Sequence, residues 1–246
     1  MTRVAETAAA LVIGNELLSG KIQESNLIEL ARTLRALGVR LIRAVFVPDE
    51  IEVIARAVQE LSLAADVLFT SGGVGPTHDD VTVEAVAQAF GVRAVIDPTL
   101  AALLREVYGE RCSDAHLRMA LVPEGAELVS SSDVRWPTPL MRNVFVLPGV
   151  PEIFRMRLDA VRQHLSGPRP FVSSAVFLTL DEPELTPTLN QVVAAHPEVE
   201  IGSYPKWFDP KYKTKITFDG ADADAVARAV AAFVAHFEAE QIVRVE

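Results

Sequence analysis

The chain is poor in cysteine and has no long apolar run. Cys112 is the single cysteine among the 246 residues, which excludes an intramolecular disulfide and is typical of a reducing compartment. The first apolar stretch, residues 8–13, is too short for a signal peptide or for a membrane-spanning helix. Together these absences predict a cytoplasmic protein with no membrane partner.

Basic residues are also in short supply. The 23 lysines and arginines face 33 aspartates and glutamates, which gives a formal net charge of −10. Nucleic-acid binding relies on clustered basic side chains, so this balance argues against a nucleic-acid partner. A small ligand that carries phosphate would need help from a backbone loop, a helix N-terminus or a cation. Aromatic residues form only 7 % of the chain, whereas half of it is hydrophobic, so we expect a core of small aliphatic side chains.

Short apolar runs alternate with longer amphipathic stretches over the first two thirds of the chain. Alternating strands and helices favour parallel pairing with right-handed crossovers. The pattern therefore predicts an α/β fold with a doubly wound, mostly parallel sheet. The predicted strands are residues 8–14, 39–47, 66–71 and 143–147, and the predicted helices are residues 26–38, 50–63, 81–90, 98–108, 114–121 and 152–164.

A cluster of helix and strand breakers at residues 166–170, Ser-Gly-Pro-Arg-Pro, predicts a domain boundary. We therefore divide the chain into a domain at residues 1–168 and a small subdomain at residues 169–246. The order of elements after the boundary, β-α-β-β-α, is typical of a small α+β unit. Its predicted strands are residues 171–180, 198–204 and 211–218, and its predicted helices are residues 185–195 and 222–238.

The most informative segment is the loop at residues 71–82, Ser-Gly-Gly-Val-Gly-Pro-Thr-His-Asp-Asp-Val-Thr, which follows a predicted buried strand. Ligands of open α/β sheets bind beyond the carboxyl ends of the strands. Gly72, Gly73 and Gly75 would let backbone amides approach an anion closely, and the next helix would add the positive end of its dipole. The alternative is that these glycines only form a turn.

Two threonines and two aspartates accompany the glycines in this loop. The hydroxyls of Thr77 and Thr82 are candidate phosphate ligands. Asp79 and Asp80 would repel a phosphate unless a divalent cation bridges them, so the pair predicts a metal site. One aspartate is enough to cap the next helix, and capping is the alternative interpretation of either carboxylate alone.

Four further candidates lie outside this loop, three of them after other predicted strands and Asn26 at the beginning of the first predicted helix. Glu16 follows the first strand and is a candidate metal ligand or water-orienting group, with a solvated loop acid as the alternative. Asn26 and Asp49 are candidate ligand-binding residues that alternatively serve as helix caps. Gly149, in the Pro-Gly turn at residues 148–151, is a candidate wall of the same crevice and alternatively a simple turn.

Six motifs spread over most of the chain form a set. They are IGNELLSG at residues 13–20, Asn26, VPDE at 47–50, SGGVGPTHDDVT at 71–82, LPGVPE at 147–152 and IGSYP at 201–205. The set resembles the MoaB/MogA-like molybdopterin-binding domain family. Within it, the resemblance is closest to the N-terminal domain of the competence/damage-inducible protein A (CinA) family and to the molybdopterin-binding-like domain of eukaryotic FAD synthases. Asn15 departs from the family pattern, which often has an acidic residue or threonine at that position.

The resemblance implies a MogA/MoaB-like three-layer sandwich and three candidate activities. MogA-like members bind molybdopterin and adenylylate it, and CinA N-terminal domains resemble metal-dependent pyrophosphatases that split ADP-ribose. The FAD-synthase counterpart resembles a hydrolase that cleaves FAD to FMN and AMP. We expect neither the nicotinamide-mononucleotide amidohydrolase activity of CinA proteins nor FAD synthesis, because the resemblance does not include the domains that carry them.

The favoured interpretation is a metal-dependent hydrolase of a nucleotide pyrophosphate of the ADP-ribose or FAD class. Asp80, with Asp79 or Glu16, would hold Mg²⁺, Mn²⁺ or Co²⁺, with potassium as a further candidate ion, and water would attack phosphorus. The alternative is a non-catalytic protein of molybdenum cofactor metabolism that binds molybdopterin or a related pterin phosphate. The resemblance also implies a homo-oligomer, because this fold often forms oligomers, and the hydrophobic stretches at residues 101–104 and 117–121 could pack against a second copy.

Overall fold

The computed structural model describes residues 2–131, 134–208 and 211–246. The chain forms two compact units, Met1–Pro168 and Arg169–Glu246, which divide inside the breaker cluster. The first unit contains strands β1 (Arg3–Val4), β2 (Thr7–Ile13), β3 (Arg40–Val47), β4 (Val67–Ser71), β5 (Ala94–Ile96), β6 (Leu121–Pro123), β7 (Glu127–Ser131), β8 (Val134–Met141), β9 (Val144–Leu147) and β10 (Leu165–Ser166). Its helices are α1 (Asn15–Leu18), α2 (Asn26–Ala36), α3 (Ile51–Ala64), α4 (Thr82–Ala89), α5 (Pro98–Tyr108), α6 (Asp114–Arg118) and α7 (Pro151–His164), with a 3₁₀ turn at Gly109–Arg111.

Four neighbouring strands of the main sheet run parallel. The order is β3-β2-β4-β9-β8-β7, in which β2 pairs in parallel with β3 and β4, and β4 pairs in parallel with β9. The last two strands, β8 and β7, are each antiparallel to the preceding neighbour. A helix connects β2 to β3 and another connects β3 to β4, as parallel pairing requires. The predicted α/β fold with a mostly parallel sheet is confirmed.

Helices cover both faces of this sheet. Helices α2 and α7 contribute to the core on one face, and α3 and α4 contribute to the core on the other. Strand β2 supplies both cores by alternation, because Ala8 and Ala10 belong to the first and Leu11 and Ile13 to the second. The unit is therefore the three-layer sandwich that the resemblance implies.

The helix predicted for residues 114–121 is too long. Helix α6 ends at Arg118, and Leu121 begins β6, which pairs antiparallel with β5. The residues between them turn back so that Ala120 and Val122 join a small core with Leu104. Tertiary packing of these apolar side chains therefore overrides the helical pattern at this point.

Strand β8 was not predicted, because its sequence contains two prolines. Proline cannot donate to a strand ladder and argues against a central strand. Here β8 pairs with β9 only through Leu140 and Met141, so Pro137 and Pro139 lie outside that ladder, whereas Pro139 lies opposite Leu128 in the ladder with β7. The strand lies inside the sheet and still accommodates both prolines.

The stretches at residues 101–104 and 117–121, which we expected at an oligomer interface, pack within the unit. Ala101, Leu104 and Ala120 are at most 2 % exposed, and Leu117 packs against the same small core. Part of this apolar surface is therefore covered, while Leu103, Leu117 and Leu121 stay partly exposed, and the location of the interface stays a prediction. Oligomerisation itself stays a prediction.

Asp66 joins the beginning of β2 to the beginning of β4. Its Oδ2 atom accepts hydrogen bonds from the backbone N–H groups of Glu6 and Thr7, both at 2.9 Å, and from the Thr7 hydroxyl at 3.0 Å. The backbone bond from Thr7 is the main reason that the pKa of this carboxyl lies below its usual value. The charged form of Asp66 therefore stabilises the fold.

We expect Asp66→Ala to lower the free energy of unfolding by about 1–2 kcal/mol at neutral pH, because three hydrogen bonds to an exposed carboxylate are lost. The pKa is lower in the folded state, so this stabilisation is present above a pH of about 4 and is lost as the pH falls through the folded-state pKa. Urea denaturation of both proteins over a pH series measures the effect. A difference that stays constant down to acidic pH would contradict this explanation.

The second unit is an antiparallel sheet with helices on one face. Its order is β12-β13-β11-β14, and a core that includes Leu185, Val192 and Phe233 joins the helices to this face. The predicted small α+β subdomain is confirmed, whereas β14 was not predicted. In the described part of the chain no helix is both long and apolar enough to cross a membrane. The elements are β11 (Val172–Leu178), α8 (Glu182–Ala195), β12 (Glu200–Pro205), β13 (Thr214–Gly220), α9 (Ala223–Val234), a 3₁₀ turn at Ala239–Gln241 and β14 (Ile242–Val245).

Candidate functional site

A cavity of about 820 Å³ lies at the carboxyl ends of β2, β4 and β9 in the first unit. This is the edge of the sheet where ligands of open α/β folds bind. The predicted site residues divide into two groups there. Glu16, Asn26, Gly72, Gly73, Gly75, Asp80 and Gly149 line the cavity, whereas Asp49, Thr77, Asp79 and Thr82 lie outside its lining.

The backbone at Gly72 is packed too tightly for any side chain. Its φ is +106°, and a Cβ atom added there would lie 2.2 Å from the carbonyl oxygen of Ile13. The Gly72 N–H donates to the carbonyl oxygen of Leu147 at 3.2 Å. Gly72 therefore brings the loop against the ends of both neighbouring strands, β2 and β9.

Thr82 attaches the loop to the beginning of α4. Its hydroxyl donates to the Gly72 carbonyl oxygen at 2.8 Å, and its N–H donates to the Gly73 carbonyl oxygen at 2.9 Å. A Cβ atom on Gly73 would lie 2.3 Å from this hydroxyl oxygen. Because the Thr82 side chain is fully buried, it positions the loop and does not contact the cavity, contrary to its predicted role in ligand binding.

Three consecutive N–H groups of the loop are available to a ligand. Among the described residues, no acceptor bonds to the backbone N–H groups of Gly73, Val74 and Gly75, all of which line the cavity. Backbone donors of a glycine-rich turn are typical ligands of phosphate oxygens. The loop can therefore hold an anion without any basic side chain.

The hydroxyl of Thr77 lies between two carboxylates. Its oxygen is 2.6 Å from Oδ1 of Asp79 and 2.5 Å from Oδ2 of Asp80, and the Thr77 N–H donates to the same Asp80 oxygen at 2.8 Å. The hydrogen bond from Thr77 is the main reason that the pKa of Asp79 lies below its usual value. The two aspartates thus converge on one point at the rim of the cavity.

A pair of carboxylates is a donor set of the kind that a magnesium-like cation uses. Such ions take one or two protein carboxylates and complete their coordination with water and substrate phosphates. Within residues 2–131, 134–208 and 211–246, no group of three or more His, Cys, Asp and Glu side chains could hold a metal ion. Asp79 and Asp80 would therefore supply two ligands of an ion that also needs the phosphate.

Glu16 and Asp49 have different positions, although both follow strands. Glu16 lies on the cavity wall in α1. Asp49 accepts a hydrogen bond through Oδ2 from the backbone N–H of Asn15 at 2.8 Å. Asp49 therefore fixes the beginning of α1, which is a structural role that the sequence did not indicate.

Asn26 connects two of the strand ends that form the site. Its Nδ2 group donates to the Ser71 hydroxyl at 3.0 Å and to the Gly149 carbonyl oxygen at 2.8 Å. The side chain is buried yet belongs to the cavity wall. Asn26 thus positions the turn after β9 against the end of β4.

Arg157 and Trp136 are cavity residues that sequence reasoning missed. Arg157 is buried on the inner face of α7, where burial lowers its pKa to about 10. It follows Phe154 by three residues and precedes Val161 by four, which is the spacing of the buried face of this helix. A charged residue on that face was the signal that could have identified it.

Comparison with known proteins assigns families to both units. Residues 9–166 match the family described as a probable molybdopterin binding domain. Residues 170–246 match the middle domain of FAD synthase. The family boundary between 166 and 170 coincides with the division of the structure.

Individual relatives agree with these families. A protein of Archaeoglobus fulgidus is 34 % identical over 90 % of this chain and 93 % of its own length. A probable FAD synthase of Caenorhabditis elegans is 32 % identical over 92 % of this chain, which spans only 49 % of that protein.

A solved structure agrees with them too. The crystal structure of CinA from Thermoplasma acidophilum, a protein of unknown function, is 29 % identical with a TM-score of 0.59 and covers 65 % of this chain and 97 % of its own. The resemblance to CinA proteins and FAD synthases is thereby confirmed. Because the family's domain spans well over half of the chain, the protein belongs to the probable molybdopterin binding domain family.

Proposed function

We propose that the protein is a divalent-metal-dependent hydrolase of a nucleotide pyrophosphate of the ADP-ribose or FAD class. The observation that carries the proposal is the convergence of Asp79 and Asp80 on the Thr77 hydroxyl oxygen. A hydroxyl has one hydrogen and can fully satisfy only one of the two carboxylates. The arrangement therefore favours a cation, which would offset the negative charge that the two carboxylates concentrate there.

The neighbouring loop supplies the complementary half of such a site. The unbonded N–H groups of Gly73, Val74 and Gly75 can hold phosphate oxygens. The N-terminus of α4, which Thr82 attaches to the loop, adds its positive dipole end. A pyrophosphate bound here would therefore meet backbone donors on one side and a carboxylate-held cation on the other.

The reaction needs only water as the nucleophile. Asp80 on the cavity wall, with Asp79 behind it, would hold the cation, which supplies positive charge against the pyrophosphate and lowers the pKa of nearby water. The water oxygen forms a bond to one phosphorus while the bridging P–O bond breaks, and the bridging oxygen leaves with the other phosphate. The loop amides would stabilise charge on the phosphate oxygens, and Glu16, which lines the same cavity, would accept the water proton.

A second candidate function is supported by the family match itself. A probable molybdopterin binding domain could hold molybdopterin or a related pterin phosphate in this cavity without turnover. The same loop amides would bind the phosphate in that case. Persistent binding after removal of the metal would distinguish this function from hydrolysis.

Two measurements, of AMP release and of pterin binding, distinguish the two functions. We expect the purified protein to release AMP from FAD or ADP-ribose in the presence of Mg²⁺, Mn²⁺ or Co²⁺ with potassium chloride, and to lose this activity in EDTA. Separation of the nucleotides by liquid chromatography measures the product. Absence of AMP from both substrates with every metal would contradict the proposal, and metal-independent pterin binding would then support the alternative.

A further inference from the structure

Arg157 is a charged side chain on the apolar face of α7. It is 8 % exposed and lies beside Phe154 and Leu158, which are fully buried in the main core. Its Nη1 group donates to the carbonyl oxygen of Pro137 at 2.7 Å, and its guanidinium carbon lies 5.9 Å from the centre of the Trp136 ring. Both Arg157 and Trp136 belong to the wall of the cavity.

The guanidinium has no counter-charge within the described part of the chain, where no carboxylate forms an ion pair with it. An arginine has five N–H donors, and the Pro137 carbonyl oxygen engages one group of them. Buried charges in proteins are normally paired, because an unpaired one is costly to remove from water. The remaining donors of Arg157 are therefore available to an acceptor that comes from outside the chain.

The surroundings of this cation suit a flat ring. We call the group Leu100, Leu104, Tyr108, Trp136 and Arg157 the apolar arm of the cavity. Its first four members share one small hydrophobic core. Apolar and aromatic walls of this kind cover the faces of a planar heterocycle, while a single polar group fixes its orientation.

The hydrogen-bonding groups on the ring edge that faces Arg157 then decide which ring is preferred. Flavin and pterin rings carry carbonyl oxygens and ring nitrogens that accept from a guanidinium. Adenine has no carbonyl oxygen, and the acceptor nitrogens on either side of its amino group lie next to N–H donors that a guanidinium cannot pair with. A phosphate would bring up to two charges into an arm that has one cation, at a larger desolvation cost.

We infer that Arg157 is a specificity-determining residue that selects heterocycles with a carbonyl-bearing edge, such as flavin and pterin rings, over adenine. The inference deepens the proposed function and rests on the ligand occupying the same cavity. It concerns the ring that the arm holds, whereas the proposed function concerns the bond that is cleaved beside the loop.

The test measures binding of phosphate-free probes, so it does not depend on turnover. Dissociation constants for riboflavin, pterin and adenosine are measured by calorimetry for the wild type, Arg157→Met and Arg157→Lys. Arg155→Met is the matched control, because Arg155 is an exposed residue of the same helix. Thermal melting of each variant shows whether it is folded. If Arg157→Met does not fold, Arg157→Lys still tests the inference, because it keeps the charge and loses the planar guanidinium.

The wild type should bind riboflavin or pterin more tightly than adenosine. Comparison of the dissociation constants for riboflavin and pterin shows which of these two rings the cavity prefers. Arg157→Met should weaken the favoured ring by at least about tenfold, since a charge-assisted hydrogen bond is lost, and leave adenosine unchanged. Arg157→Lys should give an intermediate loss, and Arg155→Met none.

Equal binding of the favoured ring by the wild type and Arg157→Met, or an equal loss for adenosine, overturns the inference. If the protein hydrolyses a pyrophosphate but shows no ring selectivity, the inference about Arg157 is wrong and the proposed function stands. If it shows the selectivity but no hydrolysis, only the proposed function is wrong.

Discussion

Gly72→Ala is expected to lower the free energy of unfolding by about 3–5 kcal/mol. The new Cβ atom would lie 2.2 Å from the carbonyl oxygen of Ile13, and neither of these backbone positions can rotate away. Relief requires β2 and β4 to separate at their carboxyl ends, where Gly72 also donates to Leu147. Urea denaturation followed by circular dichroism measures the loss.

The matched control for this substitution is Gly125→Ala. Gly125 has a similar positive φ of +85°, but no atom lies within 4 Å of the position that its Cβ would take. This variant should therefore lose only about 1 kcal/mol, which is the cost of the backbone conformation alone. Equal losses in the two variants would show that the close packing at Gly72 does not add to the cost of the substitution.

Asp80→Asn should reduce the turnover number of the proposed pyrophosphate hydrolysis by about 10³-fold, with little change in stability. The amide has the same shape as the carboxylate and can still accept from the Thr77 N–H, which now donates to Oδ2 at 2.8 Å. It removes the negative charge that would hold the cation at the cavity wall. Initial rates over a metal titration measure the effect, which higher metal concentration should partly rescue.

Asp79→Asn provides the comparison, since Asp79 contacts the same Thr77 hydroxyl but lies outside the cavity lining. Loss of a supporting carboxylate typically reduces activity by about 10–100-fold. We therefore expect the Asp79 variant to keep more activity than the Asp80 variant. The reverse order, or full activity of Asp80→Asn, would disprove the assignment of Asp80 as the main ligand of the cation.

The main sheet could be predicted because its strands are short apolar runs separated by amphipathic helices, so local pattern and tertiary fold agree. Strands β7 and β8 could not, and in β8 the prolines Pro137 and Pro139 suppress the appearance of a strand. Strand β8 can contain these two prolines because its ladder with β9 is limited to Leu140 and Met141. That limited pairing is visible only in the folded sheet. The burial of Ala101 and Leu104 could not be predicted for a similar reason, because it depends on packing against distant residues.

The candidate site was predictable where residue type and strand end coincide. Asp80 and the glycines at the end of β4 lie on the cavity wall, as their position in the sequence suggested. The sequence could not predict which polar residues face the cavity and which hold the backbone. That distinction depends on the hydrogen bonds that each side chain makes within the folded protein. Thr82 and Asp49 use their oxygen atoms to hold the backbone, which no sequence pattern distinguishes from binding a ligand.

The close packing of the glycine-rich loop has a consequence for the thermodynamics of binding. Gly72 contacts the end of β2, Thr82 holds the loop to α4, and Asn26 holds the neighbouring turn. A flexible loop loses conformational entropy when a ligand orders it, and this loss reduces affinity. Here the folding of the sheet has already ordered the backbone donors. A phosphate that bound here would therefore lose little of its interaction energy to ordering of the loop.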